Sequence, residues 1–306
     1  MLSREDNETL CRVGAATPMG AMLRQYWVPV LRSEALEADG APVRITVFGE
    51  NYVAFRATDG RVAVFDEACP HRCASLALAR NEGNGLRCIY HGWKFDVSGK
   101  LLEVPTETAD RQALFTDKVR ARTYHTRDSG GMVWAFFAKD STPPKFPDFE
   151  FTNLPADYVH VRRAIVNVNW VQAMEAVLDS SHLGMLHSSS VLLAMTESAR
   201  VQQTTCLSNT APKIKYALTP YGFKEAALRE QPDGTVDTRI REFVAPWHAF
   251  LPLNPGGYRQ LVTTVPIDDV TCMQFFIIYH SNRPMTQDDI ARAWFRSEEH
   301  TSELQS

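Results

Sequence analysis

Two cysteines and two histidines form the most informative group in the sequence. Cys69 and His71 lie in the segment CPHRC, and Cys88 and His91 lie in the segment CIYHGW, with sixteen residues between His71 and Cys88. Thiolate sulfur and imidazole nitrogen are common ligands for zinc and for iron. Two such loops, each at the tip of a pair of short strands, therefore predict a four-ligand metal centre.

The distribution of the ligands between the loops distinguishes two kinds of centre. A structural zinc site also accepts two cysteines and two histidines, but it usually takes a cysteine pair from one segment and a histidine pair from the other. Here each loop supplies one of each, which is typical of a Rieske [2Fe–2S] cluster, where two thiolates hold one iron and two imidazoles hold the other. Such a cluster has a reduction potential of roughly −150 to +300 mV and relays single electrons.

A second group of ionisable residues lies in the segment NWVQAMEAVLDSSHLGMLH and comprises Glu175, Asp179, His182 and His187. The pattern predicts a helix over residues 169–183, on which the first three share one face with apolar neighbours. A break in the helix would be needed to bring His187 beside His182. A histidine pair of this kind is often structural. Two histidines and a carboxylate also form the facial triad that binds ferrous iron with open positions for O2, and an electron relay in the same chain favours that interpretation.

The hydrophobic pattern predicts the elements that position both groups. Thr17-Pro18 signals the start of a helix, and short alternating strands separated by glycine turns follow over about residues 40–138. The proline-rich segment 141–147 marks a domain boundary. Beyond residue 212 the two-residue period returns, so we expect an antiparallel sheet with the helix at 169–183 packed on it. The predicted fold class is α+β.

The composition argues against several classes of protein. The 306 residues carry a net charge of −4, and 44% of them are hydrophobic. No apolar run reaches the roughly 18 residues of a membrane span, the N-terminus lacks the apolar core of a signal peptide, and no long basic block favours nucleic acid. Six cysteines are too few for a disulfide scaffold. We expect a soluble cytoplasmic protein with no membrane and no nucleic-acid partner.

The segments CPHRCASL, CIYHGWKFD and NWVQAMEAVLDSSHLGMLH, in this order, resemble the Rieske non-haem iron aromatic ring-hydroxylating oxygenases, large (alpha) subunit, of the phthalate 4,5-dioxygenase type. The resemblance covers residues 1–295. It implies an N-terminal antiparallel β Rieske domain followed by a helix-grip catalytic domain, an antiparallel sheet with helices. It also implies a homo-oligomer, often a trimer, supplied with electrons by a flavin/iron–sulfur NAD(P)H-dependent reductase.

The resemblance also implies roles for the site residues. The four implied ligands of the [2Fe–2S] cluster are Cys69, His71, Cys88 and His91. His182 and His187 are implied as ligands of a mononuclear Fe(II). Asp179 would bridge His182 to the partner subunit's His91, since a carboxylate can accept an N–H from both imidazoles and couple their protonation to the arrival of the electron. Glu175 would be a polar residue near the iron.

The same resemblance and the boundary signals predict the domain organisation. Residues 1–39 are expected to form an N-terminal helical segment that packs on the catalytic domain, residues 40–140 the Rieske domain, and residues 141–295 a partial catalytic domain. The family's third iron ligand, an aspartate, aligns beyond Phe295, which predicts C-terminal truncation. Arg296–Ser306 matches the in-frame translation of a common sequencing adapter and is expected to be a non-native tail.

Four further positions have expected structural roles. Cys73 stands where the family usually has glycine, and because the second loop offers it no cysteine to pair with, we expect a small buried residue with a free thiol. Trp93 is expected to shield the cluster. Asp288 and Asp289 fall in the first turn of a predicted helix, where acids complement the helix dipole, so we do not expect them to replace the third iron ligand.

Basic residues on the predicted strands of the second half have two interpretations. These residues are Lys213, Lys215, Arg239 and Arg241. Alternating charges usually mark a solvated face of a sheet. The phthalate-type resemblance suggests that some of them could instead contact a substrate carboxylate.

Two functions from different classes therefore remain open. The first is a terminal oxygenase component that uses O2 and electrons relayed by the Rieske cluster to hydroxylate, by mono- or dioxygenation, or to demethylate a small aromatic substrate, which could be carboxylated, at a ferrous site. The alternative is a Rieske electron-transfer protein without oxygenase chemistry, or an inactive truncated oxygenase. The residues from Asp179 to His187 favour the first, because an electron carrier needs no second metal site.

Overall fold

The computed structural model describes residues 2–139, 141–186, 206, 208–253 and 257–294. The chain divides into two compact units, unit 1 with Met1–Thr152 and Pro266–Asp269, and unit 2 with Asn153–Val265 and Val270–Ser306. The strands form sheets of six, four and seven strands. Within the described ranges, no helix is both long and apolar enough to span a membrane. The expected tail 296–306 lies outside the described residues.

Unit 1 contains ten strands and the first helices of the described chain. Its helices are α1 (Arg4–Cys11), α2 (Pro18–Leu23) and α3 (Ala109–Thr116). Its strands are β1 (Trp27–Arg32), β2 (Val43–Val47), β3 (Glu50–Arg56), β4 (Val62–Asp66), β5 (Arg80–Glu82), β6 (Gly85–Arg87), β7 (Lys94–Asp96), β8 (Leu101–Glu103), β9 (Thr123–Ser129) and β10 (Met132–Phe136). The short strands and glycine turns expected over 40–138 are confirmed.

Two antiparallel sheets make up unit 1. The larger has the order β1-β10-β9-β4-β3-β2, and the smaller has the order β5-β6-β7-β8. Thr17 caps α2 as expected, because its hydroxyl accepts the N–H of Gly20 at 3.1 Å. The expectation that residues 1–39 pack on the catalytic domain needs correction for β1, which pairs with β10 in the larger sheet and so extends unit 1 towards the N-terminus.

The hydrophobic core of unit 1 includes side chains from both sheets. The larger sheet supplies Val53, Phe55 and Phe65, and the smaller supplies Leu86 and Phe95, all fully buried. Cys69, Cys88 and Trp93 belong to the same cluster of buried residues. The two cysteines of the predicted metal centre therefore lie at the edge of a packed core.

Unit 2 is built on one antiparallel sheet. Its strands are β11 (Val159–Val166), β12 (Lys213–Thr219), β13 (Gly222–Glu230), β14 (Val236–Val244), β15 (His248–Phe250), β16 (Arg259–Pro266) and β17 (Cys272–Tyr279), and its helices are α4 (Trp170–Leu178) and α5 (Gln287–Trp294). The sheet order is β11-β17-β16-β15-β14-β13-β12. Helix α4 contacts β15 and β17, as expected for a helix packed on the sheet.

Helix α5 begins with a reciprocal cap. The Thr286 hydroxyl accepts the N–H of Asp289 at 3.1 Å, and the Asp289 carboxylate accepts the N–H of Thr286 at 2.9 Å. Arg283 donates to both oxygens of the same carboxylate at 2.6 and 3.0 Å. Both carboxylate oxygens of Asp289 therefore accept hydrogen bonds at the start of the helix. This agrees with the expectation that Asp289 is not an iron ligand.

Replacing Asp289 with alanine is expected to lower the free energy of unfolding at pH 7 by about 1 kcal/mol, the usual cost of losing a helix cap. The hydrogen bond from Arg283 lowers the pKa of Asp289, and the donors of Thr286 add to it despite burial. A carboxylate with a depressed folded pKa stabilises above its unfolded pKa of about 3.9 and loses this contribution as the pH falls. Urea denaturation at neutral pH and near pH 3 should show the difference from wild type shrinking in acid.

The matched control is Asp288→Ala, which removes the same charge from the same helix turn. We expect it to have the smaller effect at neutral pH, because a charge near a helix N-terminus contributes only a fraction of a kcal/mol. A difference for Asp289→Ala that stays constant from neutral pH into acid would contradict this account of the cap.

Candidate metal centres

The two cysteine–histidine loops have the same backbone hydrogen bonds. In the first, the Cys69 N–H donates to the Ala74 carbonyl at 2.9 Å, and the Cys73 N–H donates to the Cys69 carbonyl at 2.8 Å. In the second, the Cys88 N–H donates to the carbonyl of Trp93 at 2.9 Å, and the residue four after Cys88 donates back to the Cys88 carbonyl at 3.0 Å. Each loop is thus a closed turn that presents its own cysteine and histidine.

Cys73 and Gly92 occupy equivalent positions in these two turns. Both have left-handed backbone conformations, with φ of +55° and +72°. A side chain at Gly92 would meet the Cγ of Pro105 at 2.6 Å, so that position requires glycine. Cys73 is exposed and carries a free thiol. The prediction that it is buried is wrong, because this position of the loop lies at the protein surface and not in the core.

The four predicted ligands meet as a sulfur pair and a nitrogen pair. Cys69 and Cys88 are 1% and 3% exposed, and their thiols are within hydrogen-bonding reach of each other. The imidazole rings of His71 and His91 lie with their centroids 4.6 Å apart. A pair of cysteines and a pair of histidines are the ligand sets that the two irons of a Rieske cluster take.

The protonation states at this site suit metal ligands that must lose protons or stay neutral. Burial raises the pKa of the Cys69 thiol to about 11, and the neighbouring Cys88 thiol adds to the effect. Burial lowers the pKa of His71, and the charges of His91 and Arg72 add to it. His71 is therefore a neutral imidazole at pH 7, as metal binding requires. The cysteine sulfurs become thiolates when iron replaces their protons.

Aromatic rings pack against both imidazoles. Trp93 stacks on His71 with ring centroids 4.3 Å apart and planes within 2° of parallel. Phe115 of α3 approaches Trp93 from another side, with centroids 5.8 Å apart. Tyr90, which is exposed, lies over His91 at 3.9 Å. The expectation that Trp93 shields this site agrees with its burial and its stacking.

Arg87, which sequence reasoning missed, connects the second loop to its supporting strands. It is the last residue of β6, directly before Cys88, and it donates to the Gly92 carbonyl at 2.9 Å and to Glu103 at 2.8 Å. It also donates to Glu82. Hydrogen bonds from this guanidinium lower the pKa values of Glu82 and Glu103, so both are carboxylates at neutral pH. The sequence signal that could have identified Arg87 is its position directly before the predicted ligand Cys88.

The second group of residues is arranged differently from the prediction. Helix α4 ends at Leu178, and Asp179 has an extended backbone with ψ of 118°. Its carboxylate accepts the N–H groups of Ser181 at 2.7 Å and His182 at 3.2 Å. The predicted helical stripe through Asp179 and His182 is therefore wrong, because an aspartate that caps its own backbone competes with the helix.

Asp179 and His182 are nevertheless brought together. An Oδ2 of Asp179 lies 3.4 Å from Nδ1 of His182, across a single 3-10 turn that begins at His182. Burial alone would raise the pKa of Asp179, but the N–H of Ser181 and the charge of His182 outweigh it and lower the pKa. His187, the other expected iron ligand, lies outside the described residues.

Glu175 is exposed on α4, one turn before Asp179. Among the residues that the structure describes, its carboxylate has no hydrogen bond or ion pair. The structure therefore does not connect it to Asp179 or His182 through a side-chain contact.

A buried ionic network holds the turn that carries Asp179. Ser180, the next residue, donates its hydroxyl to Glu225 of β13 and accepts from Arg241 of β14. Arg229 donates to the Ser180 carbonyl at 2.6 Å. Glu225 and Arg241 are paired across the two strands, with N and O atoms 3.6 Å apart. Sequence reasoning missed Ser180, Glu225 and Arg229.

The basic residues of this sheet divide into two groups. Lys213 and Lys215 of β12 are exposed, which agrees with a solvated face. Arg239 and Arg241 are buried. For the arginines the solvated-face interpretation is wrong, because they lie on the face of β14 that also receives Glu225.

Comparison with protein families supports both halves of the chain. Residues 26–137 match the Rieske [2Fe–2S] domain, and residues 135–302 match the LigXa C-terminal domain like family. Over 90% of the chain and 78% of the solved chain, the fold resembles an NdmA QL mutant from Pseudomonas putida CBB5 with theobromine, with a TM-score of 0.65 and 18% identity. That similarity supports the fold alone.

Two curated relatives are similar in sequence. The phthalate 4,5-dioxygenase oxygenase subunit of Pseudomonas putida is 40% identical over 94% of this chain and 67% of its own length. The 3-chlorobenzoate-3,4-dioxygenase oxygenase subunit of Comamonas testosteroni is 36% identical over 94% of this chain and 66% of its own length. The chain spans about two thirds of these relatives. It belongs to the Rieske non-haem iron ring-hydroxylating oxygenases, large subunit.

Proposed function

We propose that this chain is the terminal oxygenase component of an aromatic-hydroxylating system. It would use O2 and electrons relayed by its Rieske cluster to hydroxylate, by mono- or dioxygenation, or to demethylate an aromatic substrate at a mononuclear ferrous site. The observation that carries the proposal is that one chain contains both the paired cysteine–histidine loops and a carboxylate–histidine pair, Asp179 and His182, on a separate unit. A protein that only carries electrons does not need the carboxylate–histidine pair.

The site residues have distinct tasks in this proposal. Cys69 and Cys88 would hold one iron as thiolates, and His71 and His91 would hold the other as neutral imidazoles. When bound, the cluster supplies single electrons and ferrous iron supplies O2 activation. Oδ2 of Asp179 lies 3.4 Å from Nδ1 of His182, so a proton on Nδ1 would face the carboxylate and leave Nε2 for the metal.

The remaining expected site residues keep their proposed tasks. His187 would be the second iron ligand, and Glu175 would contribute polarity near the iron. Asp179 would also accept an N–H from the partner subunit's His91 and so connect the two centres. The proposal includes a homotrimer, a flavin/iron–sulfur NAD(P)H-dependent reductase as electron donor, and a cytoplasmic location where NAD(P)H is available.

An aromatic carboxylate is the proposed substrate class. Phthalate and 3-chlorobenzoate, named for the two relatives, are both aromatic acids. In unit 2, Arg229 and Arg241 are buried, and Arg241 is paired with the buried Glu225. Arg229 Nη1 and Arg241 Nε are buried without a hydrogen-bond partner in the described residues. The excess positive charge favours an anionic ligand in this unit.

Metal content and O2 uptake test the proposal. The full chain is reconstituted anaerobically with iron and sulfide, and iron per chain, acid-labile sulfide and EPR spectra are measured. We expect a Rieske signal and three irons, two in the cluster and one mononuclear. O2 uptake should rise with aromatic acids and not with the matching amides. Two irons and no uptake would contradict the proposal and favour the alternative, an electron carrier or an inactive truncated oxygenase. A colourless zinc protein would refute the cluster.

Asp179→Asn separates electron transfer from cluster assembly. The variant keeps the size of the side chain but loses the charge beside His182, so we expect turnover with an aromatic acid to fall about 10–100-fold. The sulfide content should stay as in wild type, because Asp179 is not a cluster ligand and lies outside the unit that holds the cluster. Unchanged turnover would contradict the proposed task of Asp179.

A further inference from the structure

The Arg87 side chain spans the second cluster loop from one end to the other. Its backbone precedes Cys88, and its Nη1 donates to the carbonyl of Gly92, the residue after His91. The N–H of Gly92 in turn donates to the Cys88 carbonyl at 3.0 Å. The Arg87 guanidinium therefore holds the peptide that follows His91, and the Arg87 backbone leads directly into Cys88.

The remaining donors of Arg87 hold two carboxylates. Glu82 and Glu103 accept from its Nε and Nη2, and Lys94 Nζ lies 3.7 Å from Glu103. The Arg87 and Lys94 side chains are only 13% and 10% exposed, whereas the two glutamates are 42% and 47% exposed. Arg80, which is exposed, also lies 3.7 Å from Glu82, so three positive and two negative charges lie beside the loop, and the two buried ones are positive.

The balance matters for an electron acceptor because reduction adds a negative charge. Removing Arg87 would leave two carboxylates with one buried lysine and one exposed arginine, and the local charge would become more negative by one unit. A negative charge near the cluster disfavours the reduced state. The Gly92 carbonyl would also lose its donor, so the loop that carries His91 would lose one of its fixed points.

We propose that Arg87 is a positioning residue for the cluster: its guanidinium fixes the loop between Cys88 and Gly92 and, by neutralising Glu82 and Glu103, keeps the reduction potential high. The proposal rests on the proposed function, since it assumes that a Rieske cluster binds at these loops. It concerns the chain's own side chains and is independent of the substrate.

The test compares Arg87→Gln, Glu103→Gln and Arg80→Gln in the full chain reconstituted with iron and sulfide. Arg80 is the matched control, because it lies on the same hairpin and approaches the same Glu82 at 3.7 Å, but it is 66% exposed. Midpoint potentials are measured by redox titration followed by EPR, with iron and sulfide content determined for every variant.

We expect opposite shifts from the two partners. Arg87→Gln should lower the equilibrium constant for reduction about tenfold, which is 59 mV for one electron. Glu103→Gln should raise it by a smaller factor, because that carboxylate is half exposed and screened by water. Arg80→Gln should leave it unchanged. Damage to the fold would not produce shifts of opposite sign.

Three results would overturn the inference. These are an Arg87→Gln potential equal to that of Arg80→Gln, shifts of the same sign for Arg87→Gln and Glu103→Gln, or an Arg87→Gln chain without cluster together with an unshifted Glu103→Gln. A wild-type chain that assembles no cluster would instead refute the proposed function. The two failures are therefore distinguishable from the same set of samples.

Discussion

Cys88→Ser is expected to abolish the [2Fe–2S] cluster, whereas Cys73→Ser should leave it intact. Cys88 is buried in the core of unit 1 beside Cys69, and the two thiols form the sulfur half of the predicted ligand set. A serine hydroxyl stays protonated at neutral pH and is a poor substitute for a thiolate on iron. Cys73 is exposed and belongs to the loop of Cys69 without joining the sulfur pair.

Acid-labile sulfide, visible absorbance and EPR measure the outcome after identical anaerobic reconstitution. The cluster of Cys88→Ser should fall to the detection limit, and that of Cys73→Ser should match wild type. Both variants make the same chemical change, so general loss of a thiol cannot explain a difference. Equal cluster content in the two variants would show that the ligand assignment is wrong.

Glu225→Gln is expected to lower the free energy of unfolding by about 3–5 kcal/mol, the usual cost of leaving one member of a buried ion pair without its partner. Glu225 and Arg241 are each 4% exposed and meet at Ser180. Burial lowers the pKa of Arg241, which reflects how costly its charge is in this environment. Without the glutamate charge, the arginine keeps that cost and loses its compensation.

The matched control is Glu242→Gln, which makes the same substitution on the neighbouring strand. Glu242 pairs with Lys224 at 3.3 Å, in a contact that is open to water on both sides, and exposed pairs contribute little. Urea denaturation monitored by tryptophan fluorescence compares the two variants. Similar losses in both variants would show that the buried network contributes no more to stability than the exposed pair.

Because the network also holds the turn at Asp179, Glu225→Gln should weaken binding of Co(II) as a probe of the mononuclear site.

The two loops that carry the predicted cluster ligands were predictable because a sequence can encode a closed turn in local spacing. Each loop is a single turn closed by its own backbone, and the predicted cysteine and histidine lie two or three residues apart in it. The strands were predictable for a similar reason, since alternation has a fixed period of two. The pairing of the four ligands into sulfur and nitrogen halves followed from chemistry rather than from chain distance.

The end of helix α4 was not predictable from periodicity. Val171 to Leu178 fits the helical pattern, and nothing in that pattern distinguishes Asp179 from another polar residue on the same stripe. What ends the helix is the aspartate side chain, which accepts the N–H groups of Ser181 and His182. Such local competition depends on a rotamer, which a hydrophobic pattern does not record.

The burial of Arg239 and Arg241 was not predictable, because on β14 the charged residues are buried and the apolar residue between them is exposed. On β14, Ile240 is 53% exposed while its neighbours Arg239 and Arg241 are buried. Alternation identifies two faces but does not say which is inside, and the usual rule assigns the apolar residue to the core. The register that places Arg241 opposite Glu225 across the hairpin was the one clue that could have reversed the assignment.

The outward position of Cys73 gives the protein a natural attachment point for a spectroscopic label. Of the six cysteines, four are buried, Cys11 is half-buried, and Cys73 alone is exposed. It borders a cavity of about 390 Å³ shared with Ser75 and Tyr124, which offers room for a compact thiol-reactive nitroxide. A label there would sit two residues from His71, close enough for its magnetic relaxation to report whether the neighbouring iron pair is oxidised or reduced.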